Sequence, residues 1–514
     1  MTIKLRWCLL VLLGLALSAC GGLDDDDTGP PVDDDLECGN APAWHFALEG
    51  EGCPAGPSDC AEGLACINDV CTASCSDADD CLDTLGCADG TCGDCSVDAH
   101  CRDGESCRSG FCMPTEVPIW DLTTTEADWE AVHDDPFHDF WYDCVLTAGG
   151  VEYADGCQYR SYGSTARTYP KLSLRIRFPE DFEHPGYSRK ITLRAEYNDP
   201  TMMRNRLGYE TFRHLVRLPA PRTRYVLLRV NGEVYGLYVE LERPAGKWLK
   251  RNDRDRDNSM YEAEHSPPQG GLMPMEDPAW YDVWDDDVMY NQNAGGPGDH
   301  SDIQALIEDV LWQDFLDSPS RSDTVLTRTG GRVDVNTHAS YMAVHAIIQN
   351  RDHITANYNI SWQHNSQGDP VWEVYPLDLD TTFGCTYDPE AGNNLCWDMS
   401  SDVWWLSGVA PLEGDVGYPN YQWMNMLAHL TLNNEQCGTA FNTRICNYLA
   451  SDWWNDGIPR FVEATAETIR PALAQDPNDL INDPTMDNFD HAADEIVQFL
   501  SDRRAYLESN LLCP

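Results

Sequence analysis

The sequence predicts an α+β fold of two lobes, set behind a run of small disulfide-held modules. Three observations predict it. Short β-like runs dominate the chain between about residues 114 and 260, and helix-period apolar spacing dominates after about residue 300. Thirteen cysteines crowd into residues 38–112, where apolar side chains are almost absent.

The N-terminus comes first. Lys4 and Arg6 precede an apolar stretch from Trp7 to about Leu17, which ends in Leu17-Ser18-Ala19-Cys20. This is the pattern of a signal peptide over residues 1–19, too short to span as a mature helix. The Leu-Ser-Ala-Cys ending resembles the lipobox of bacterial lipoproteins, which implies a diacylglycerol on Cys20 and membrane attachment through it. Gly21 rather than Asp follows, so the expected location is the bacterial envelope, at the outer membrane or cell surface. Residues 20–37 hold Asp24 to Asp27 and Asp33 to Asp35 around Gly29-Pro30-Pro31, a self-repelling linker.

Of 22 cysteines, Cys8 lies in the signal and Cys20 takes the lipid, which leaves an even 20 for an oxidising compartment. Residues 38–113 repeat with a period near 20: Cys53, Cys60, Cys66 and Cys71; Cys75, Cys81, Cys87 and Cys92; Cys95, Cys101, Cys107 and Cys112. Each unit lacks a core of its own, so bridges must hold it; zinc is the rival, disfavoured by export. Their expected role is spacing or binding. Downstream, the spacing suggests local bridges Cys144–Cys157, Cys385–Cys396 and Cys437–Cys446, with Cys513 left to reach Cys38.

The main domain spans 114–514, with a strand-rich lobe over about 114–260 and a helix-rich lobe over about 261–514. Strands are expected at Leu172 to Phe178, Lys190 to Ala195, Tyr225 to Val230 and Val234 to Leu241, the last two joined at Asn231-Gly232. A helix falls between Pro200 and Leu218. Later helices are expected at Ile303 to Leu316, Val335 to Asn350, Gln422 to Leu432, Ile458 to Ala474 and Phe489 to Leu511.

Net charge is −52, from 34 basic and 86 acidic residues, which argues against nucleic acid and favours divalent cations or a basic protein partner. The chemistry concentrates in two stretches. Asn350-Arg351-Asp352-His353-Ile354-Thr355-Ala356-Asn357 has an Asp and an Asn five apart, the spacing of a protein-kinase catalytic loop. After a hairpin comes Asp378-Leu379-Asp380-Thr381-Thr382-Phe383-Gly384, where kinases place a metal-binding Asp-Phe-Gly. In an extended segment Asp378 and Asp380 point to opposite faces, so only one meets a metal unless the backbone turns there. Weaker candidates are Asp253, Asp255, Asp257 and Glu264, which approximate a calcium loop but have Asn258 where Gly belongs. His345 reads as a core or surface histidine rather than a ligand. Ser164 has no histidine partner that supports a hydrolase.

These stretches, with Arg160 to Ser164, Pro170 to Phe178, Asp199-Pro200-Thr201, Arg204 to Leu207, Ala220-Pro221-Arg222 and Gly236-Leu237-Tyr238, occur in the order of the spore-coat protein H (CotH) kinase family, which the chain resembles from about Trp141 to Tyr387. The resemblance implies a two-lobed atypical protein-kinase-like domain that phosphorylates Ser or Thr with ATP and Mg²⁺ or Mn²⁺. It implies Asp352 as the catalytic Asp and Asn357, Asp378 and Asp380 as metal ligands. Lys171, Arg160, Gly163, Ser164 and Glu240 would lie at the nucleotide. Expected substrates are extracytoplasmic proteins, basic or rich in Ser and Lys. Leu172 and Glu262 stand where the family carries lysine, so the alternative is a catalytically weak or inactive surface-binding or coat-assembly protein.

Overall fold

The structure is a computed structural model. It describes residues 64–67, 70–73, 75–77, 84–88, 90–179, 189–216, 218–263, 271–272, 290–317, 326–350, 353, 356–364, 370–388, 393–396, 425–477, 486–511 and 513. Cys20 and Asp352 therefore lie outside the described residues, as does Glu264 of the calcium-loop candidate.

The cysteine units share one plan. In each, the third and fourth cysteines oppose each other across a two-stranded hairpin: Cys66 with Cys71, Cys87 with Cys92, and Cys107 with Cys112. The last unit is bridged Cys95–Cys107 and Cys101–Cys112, and the middle one has the matching Cys75–Cys87. The sulfurs of Cys95, Cys101 and Cys112 cluster, but they are spent in these bridges and offer zinc no thiolates. The hairpin Glu105–Arg108/Phe111–Pro114 also carries Phe111 and Met113, both buried in the large core of the chain.

A closed seven-stranded barrel follows. Its strands are β1 (Ile119–Thr123), β2 (Tyr142–Ala148), β3 (Val151–Ser161), β4 (Leu174–Arg177), β5 (Lys190–Arg194), β6 (Thr223–Val230) and β7 (Glu233–Glu242). The spatial order is β4-β5-β7-β6-β1-β2-β3, closed by β3 against β4, and only β6 with β1 is parallel among these pairs. Asn231 and Gly232 both have positive φ, 52° and 90°, as the tight hairpin between β6 and β7 requires. Pleating sends Leu174, Ile176, Ile191 and Leu193 into the barrel core and leaves Arg175, Arg177, Lys190 and Arg194 on the outer face. Cys144–Cys157 forms as expected, tying β2 to β3.

Helix α1 (Glu126–Asp134) lies between β1 and β2, and α2 (Arg204–Leu215) between β5 and β6. A short α3 (Gly246–Arg251) leads to a second sheet, β8 (Met260–Ala263), β9 (Tyr290–Ala294), β10 (Tyr358–His364) and β11 (Pro370–Pro376), in the order β9-β8-β10-β11. The helical run Ser301–Ala305, Leu306–Leu311 and Trp312–Asp317 contains a π-turn. The remaining longer helices are α4 (Val335–Ile348), α5 (Met426–Asn433), α6 (Glu435–Ala450), α7 (Ile458–Leu473) and α8 (Asp487–Asn510). The barrel interior is one hydrophobic core. The other joins the second sheet and these helices, and α2 sends Leu207, Tyr209 and Phe212 into it although it lies among the barrel strands in sequence. Among the described residues no helix is long and apolar enough to cross a membrane.

Two expected bridges are overturned. Cys446 bridges Cys513, so neither Cys437–Cys446 nor Cys513–Cys38 forms. The reason is α6: Cys437 and Cys446 lie on this single helix, about 13 Å apart along its axis, beyond the reach of a disulfide. Cys437 is bridged elsewhere. Cys385 and Cys396 are opposed in a short hairpin, Cys385–Asp388 with Asn393–Cys396. The bridge that forms closes a 67-residue separation. Replacing Cys446 and Cys513 together by Ser is expected to lower unfolding free energy by about 4 kcal/mol in denaturant titrations. Peptide mapping without reductant should recover a Cys446–Cys513 cross-link.

Candidate functional site

Two left-handed residues shape the site, Asn357 just before β10 with φ 59° and Asp378 just after β11 with φ 48°. The Leu377 N–H donates to the Asn357 carbonyl at 3.2 Å, and the Asn357 N–H donates to the Ala263 carbonyl at 3.2 Å. This places Asn357 beside the Asp378 loop. Helix α2 fixes the loop from the other side. The Asp378 N–H donates to the Tyr209 hydroxyl at 3.0 Å, the Leu379 N–H to Asn205 Oδ1 at 3.1 Å, and Leu379 packs on Gly208.

The turn at Asp378 undoes the alternation of an extended strand, so the two carboxylates converge. Arg194, on β5, donates to Asp378 Oδ2 at 2.8 Å and Oδ1 at 2.7 Å, and to Asp380 Oδ2 at 2.9 Å. Asn198 Nδ2 lies 3.4 Å from the same Asp380 oxygen. Burial opposes charge on Arg194, but Asp378, Asp380 and Glu196 more than offset it and its pKa rises well above the ordinary value. Glu196 lies behind, with Oε1 3.6 Å from Arg194 Nε and accepting from Asn205 Nδ2 at 3.0 Å. Its Oε2 has no hydrogen-bond partner, and burial pushes its pKa up to about 7. The side chains of Asp378 and Asp380 remain 25% and 15% exposed, so hard carboxylate oxygens stay open to a cation from one side.

Lys171 is enclosed. Its ammonium donates to Asp476 Oδ2 at 2.7 Å and to the Leu237 carbonyl, with Nζ 4.7 Å from the centre of the Tyr238 ring. Burial lowers its pKa, and Asp476 acts against that shift. Glu240 is buried against Arg224. Arg160 pairs with Asp139, and its guanidinium is 5.4 Å from the Trp141 ring. Gly163, with φ 105°, turns the chain into the short helix that Ser164 precedes. His345 is a core residue, stacked 4.0 Å from His353. In the calcium-loop candidate, Asp255 Oδ1 accepts from the Asp257 N–H at 2.9 Å.

Sequence reasoning missed Arg194, Glu196, Asp476 and a cationic strip. On the barrel's outer face Arg175 pairs in register with Arg160 and Thr192, and Arg177 with Lys190. The Arg175 guanidinium lies 3.7 Å from the Tyr162 ring, and Arg177 and Lys190 lie 3.9 and 5.8 Å from that of Trp141. Arg175 is only 7% exposed, yet its Nε and that of Arg177 have no hydrogen-bond partner. Burial, then Arg243, Arg177, Arg175 and Arg160, hold the Lys190 pKa down to about 8. The alternation in Leu174-Arg175-Ile176-Arg177 was the available signal. A strip of cations leading to a pair of converged carboxylates can hold an anion at one end and a divalent ion at the other.

The CotH kinase protein family model matches residues 159–507. The chain is 24% identical over 400 residues to inner spore coat protein H of Bacillus subtilis (strain 168), covering 77% of this chain and 98% of that protein. It is also 41% identical over 61 residues to the inner spore coat protein H-like protein of the same organism, covering 12% of this chain and 20% of that one.

Glu196 has a raised folded pKa, so its neutral form favours the fold. That contribution is full below pH 4.5 and is lost as pH rises through about 7. Glu196→Gln is therefore expected to match the parent near pH 4.5 and to exceed it by about 3 kcal/mol at pH 8, measured by denaturant unfolding at both pH values.

Proposed function

Because the chain belongs to the CotH kinase protein family, we propose that it transfers the terminal phosphoryl group of ATP to Ser or Thr of extracytoplasmic proteins. The observation that carries this reading is the convergence of Asp378 and Asp380 on Arg194 at the end of the cationic strip. The donor set fits the cofactors. Asp378, Asp380 and the neighbouring Asn357 would hold Mg²⁺ or Mn²⁺. Arg175, Arg177, Lys190 and Arg160 would take phosphate oxygens, with the Nε–H groups of Arg175 and Arg177 still unmatched. A bound divalent ion supplies charge neutralisation at the transferring phosphate. Asp352, on the loop that leads to Asn357, would accept the proton of the attacking hydroxyl. The strip replaces the positive charge missing at Leu172 and Glu262.

In this reading the signal peptide of residues 1–19, the lipid on Cys20 and the acidic linker hold the domain at the cell envelope. The spore-coat name of the Bacillus relative points to coat or envelope proteins as substrates. The overall acidity favours basic ones. One observation favours the rival, a kinase-like assembly protein without turnover: Lys171 is closed off by Asp476.

Labelled γ-phosphate transfer to the chain or to a Ser- and Lys-rich peptide decides between them. Asp352→Asn and Asp378→Asn are each expected to lower transfer about 100-fold or more. Arg175→Ala is expected to weaken ATP binding about tenfold or more, read by calorimetry. Background transfer by the parent chain alongside measurable peptide or coat-protein binding would leave the assembly reading standing.

A further inference from the structure

Asp476 lies just past the end of α7, and 3% of it is exposed. Its Oδ2 accepts from Lys171 Nζ at 2.7 Å and from the Leu237 N–H at 2.8 Å. Gly236 is shaped for this approach, since a Cβ there would sit 2.7 and 2.8 Å from the Asp476 oxygens and 2.8 Å from Lys171 Cε. One carboxylate thus ties the barrel to a helix of the other core.

The last cysteine unit packs along α7. Arg460 donates to Asp94 Oδ2 at 2.8 Å and to the Ser109 carbonyl at 3.1 Å. Ser109 Oγ donates to Glu463 Oε2 at 2.9 Å, and Arg108 Nη1 to Thr468 Oγ1 at 3.1 Å. Phe111 packs edge-on against Phe461, ring centres 5.3 Å apart, and against Trp453. Gly110 leaves room for Arg460, whose Nη1 would be 2.3 Å from a Cβ. These contacts run along α7 to Thr468, about two turns before Asp476.

We propose that the last cysteine unit is a clamp on α7 that sets the position of Asp476, and that Asp476 is a positioning residue for Lys171. The unit is then part of the catalytic body rather than a spacer. The consequence for activity rests on the phosphotransfer reading; the coupling itself does not.

The test is acylation of lysines in the full chain by an N-hydroxysuccinimide ester, followed by peptide mass spectrometry. Exposed Lys247 and Lys250 serve as internal references. Lys171 should be protected in the parent. Asp476→Asn, and separately Arg108→Ala with Phe111→Leu, should raise its labelling about tenfold, at a temperature where melting shows the variants folded. Unchanged labelling in Asp476→Asn overturns the positioning role. Unchanged labelling in the clamp variant overturns the coupling, and should that variant fail to fold, Arg460→Gln is the milder substitute. In ATP turnover the clamp variant should lose kcat alongside its gain in labelling. Absence of turnover in every chain, the parent included, defeats the phosphotransfer reading while the labelling still decides the clamp.

Discussion

Arg194 is buried on β5 with its guanidinium against Asp378 and Asp380 and its Nε toward Glu196. The geometry of the site depends on this cation. Two carboxylates two residues apart repel each other, and at 2.7–2.9 Å from one guanidinium that repulsion becomes a shared attraction. Burial sets which acid yields, since Arg194 itself favours the charged form of Glu196. Asp378 and Asp380 keep solvent on one side, whereas Glu196 is sealed and shifts toward its neutral form. One buried cation facing three carboxylates leaves negative charge in excess, and protonation of the sealed Glu196 removes part of it.

The arrangement around Arg194 depends on α2, which holds the Asp378 loop. Asp199 caps the helix by accepting from the Met203 and Arg204 N–H groups at 2.9 and 2.8 Å, and it also pairs with the Arg204 side chain. The two residues that hold the Asp378 loop, Asn205 and Tyr209, are one turn apart on the same face. Asn205 further holds Glu196, so one amide fixes both the loop and the acid behind Arg194. The strand-rich and helix-rich parts therefore meet through polar contacts of defined direction as well as through apolar packing. Direction is what a site for phosphate chemistry needs.

Much of this was legible in the sequence. The barrel hairpin followed from Asn231-Gly232, and α4 and α7 from their apolar spacing. Asp378 and Asp380 stood out by composition, but their convergence did not. The two-residue alternation of a strand holds only for extended backbone, and Asp378 with φ 48° breaks it. Arg194 passed as one polar position in a β run, because its partners lie about 184 positions away. Asp476, 305 positions from Lys171, carries no local mark at all. Helix α6 was within reach, since Cys437, Ala440, Ile445 and Leu449 recur at helical spacing, but the pair of cysteines suggested a loop.

The remaining tension is between a chain of net charge −52 and a cationic strip inside it. The two act over different ranges. At physiological salt the screening length is about 8 Å, so acidic groups farther than that contribute little inside the strip. There, Arg160, Arg175, Arg177, Arg243 and Lys190 crowd together, and burial first, then their mutual repulsion, brings Lys190 down to about 8. The rings of Trp141 and Tyr162 spread some of that charge over their faces without neutralising it. An anion small enough to enter relieves the repulsion directly, whereas a long polyanion must also lie against the acidic surface outside. In the phosphotransfer proposed above, the same charge distribution would suit a compact phosphate group, disfavour a nucleic acid, and favour a basic protein at the rim where Asp378 and Asp380 are partly exposed.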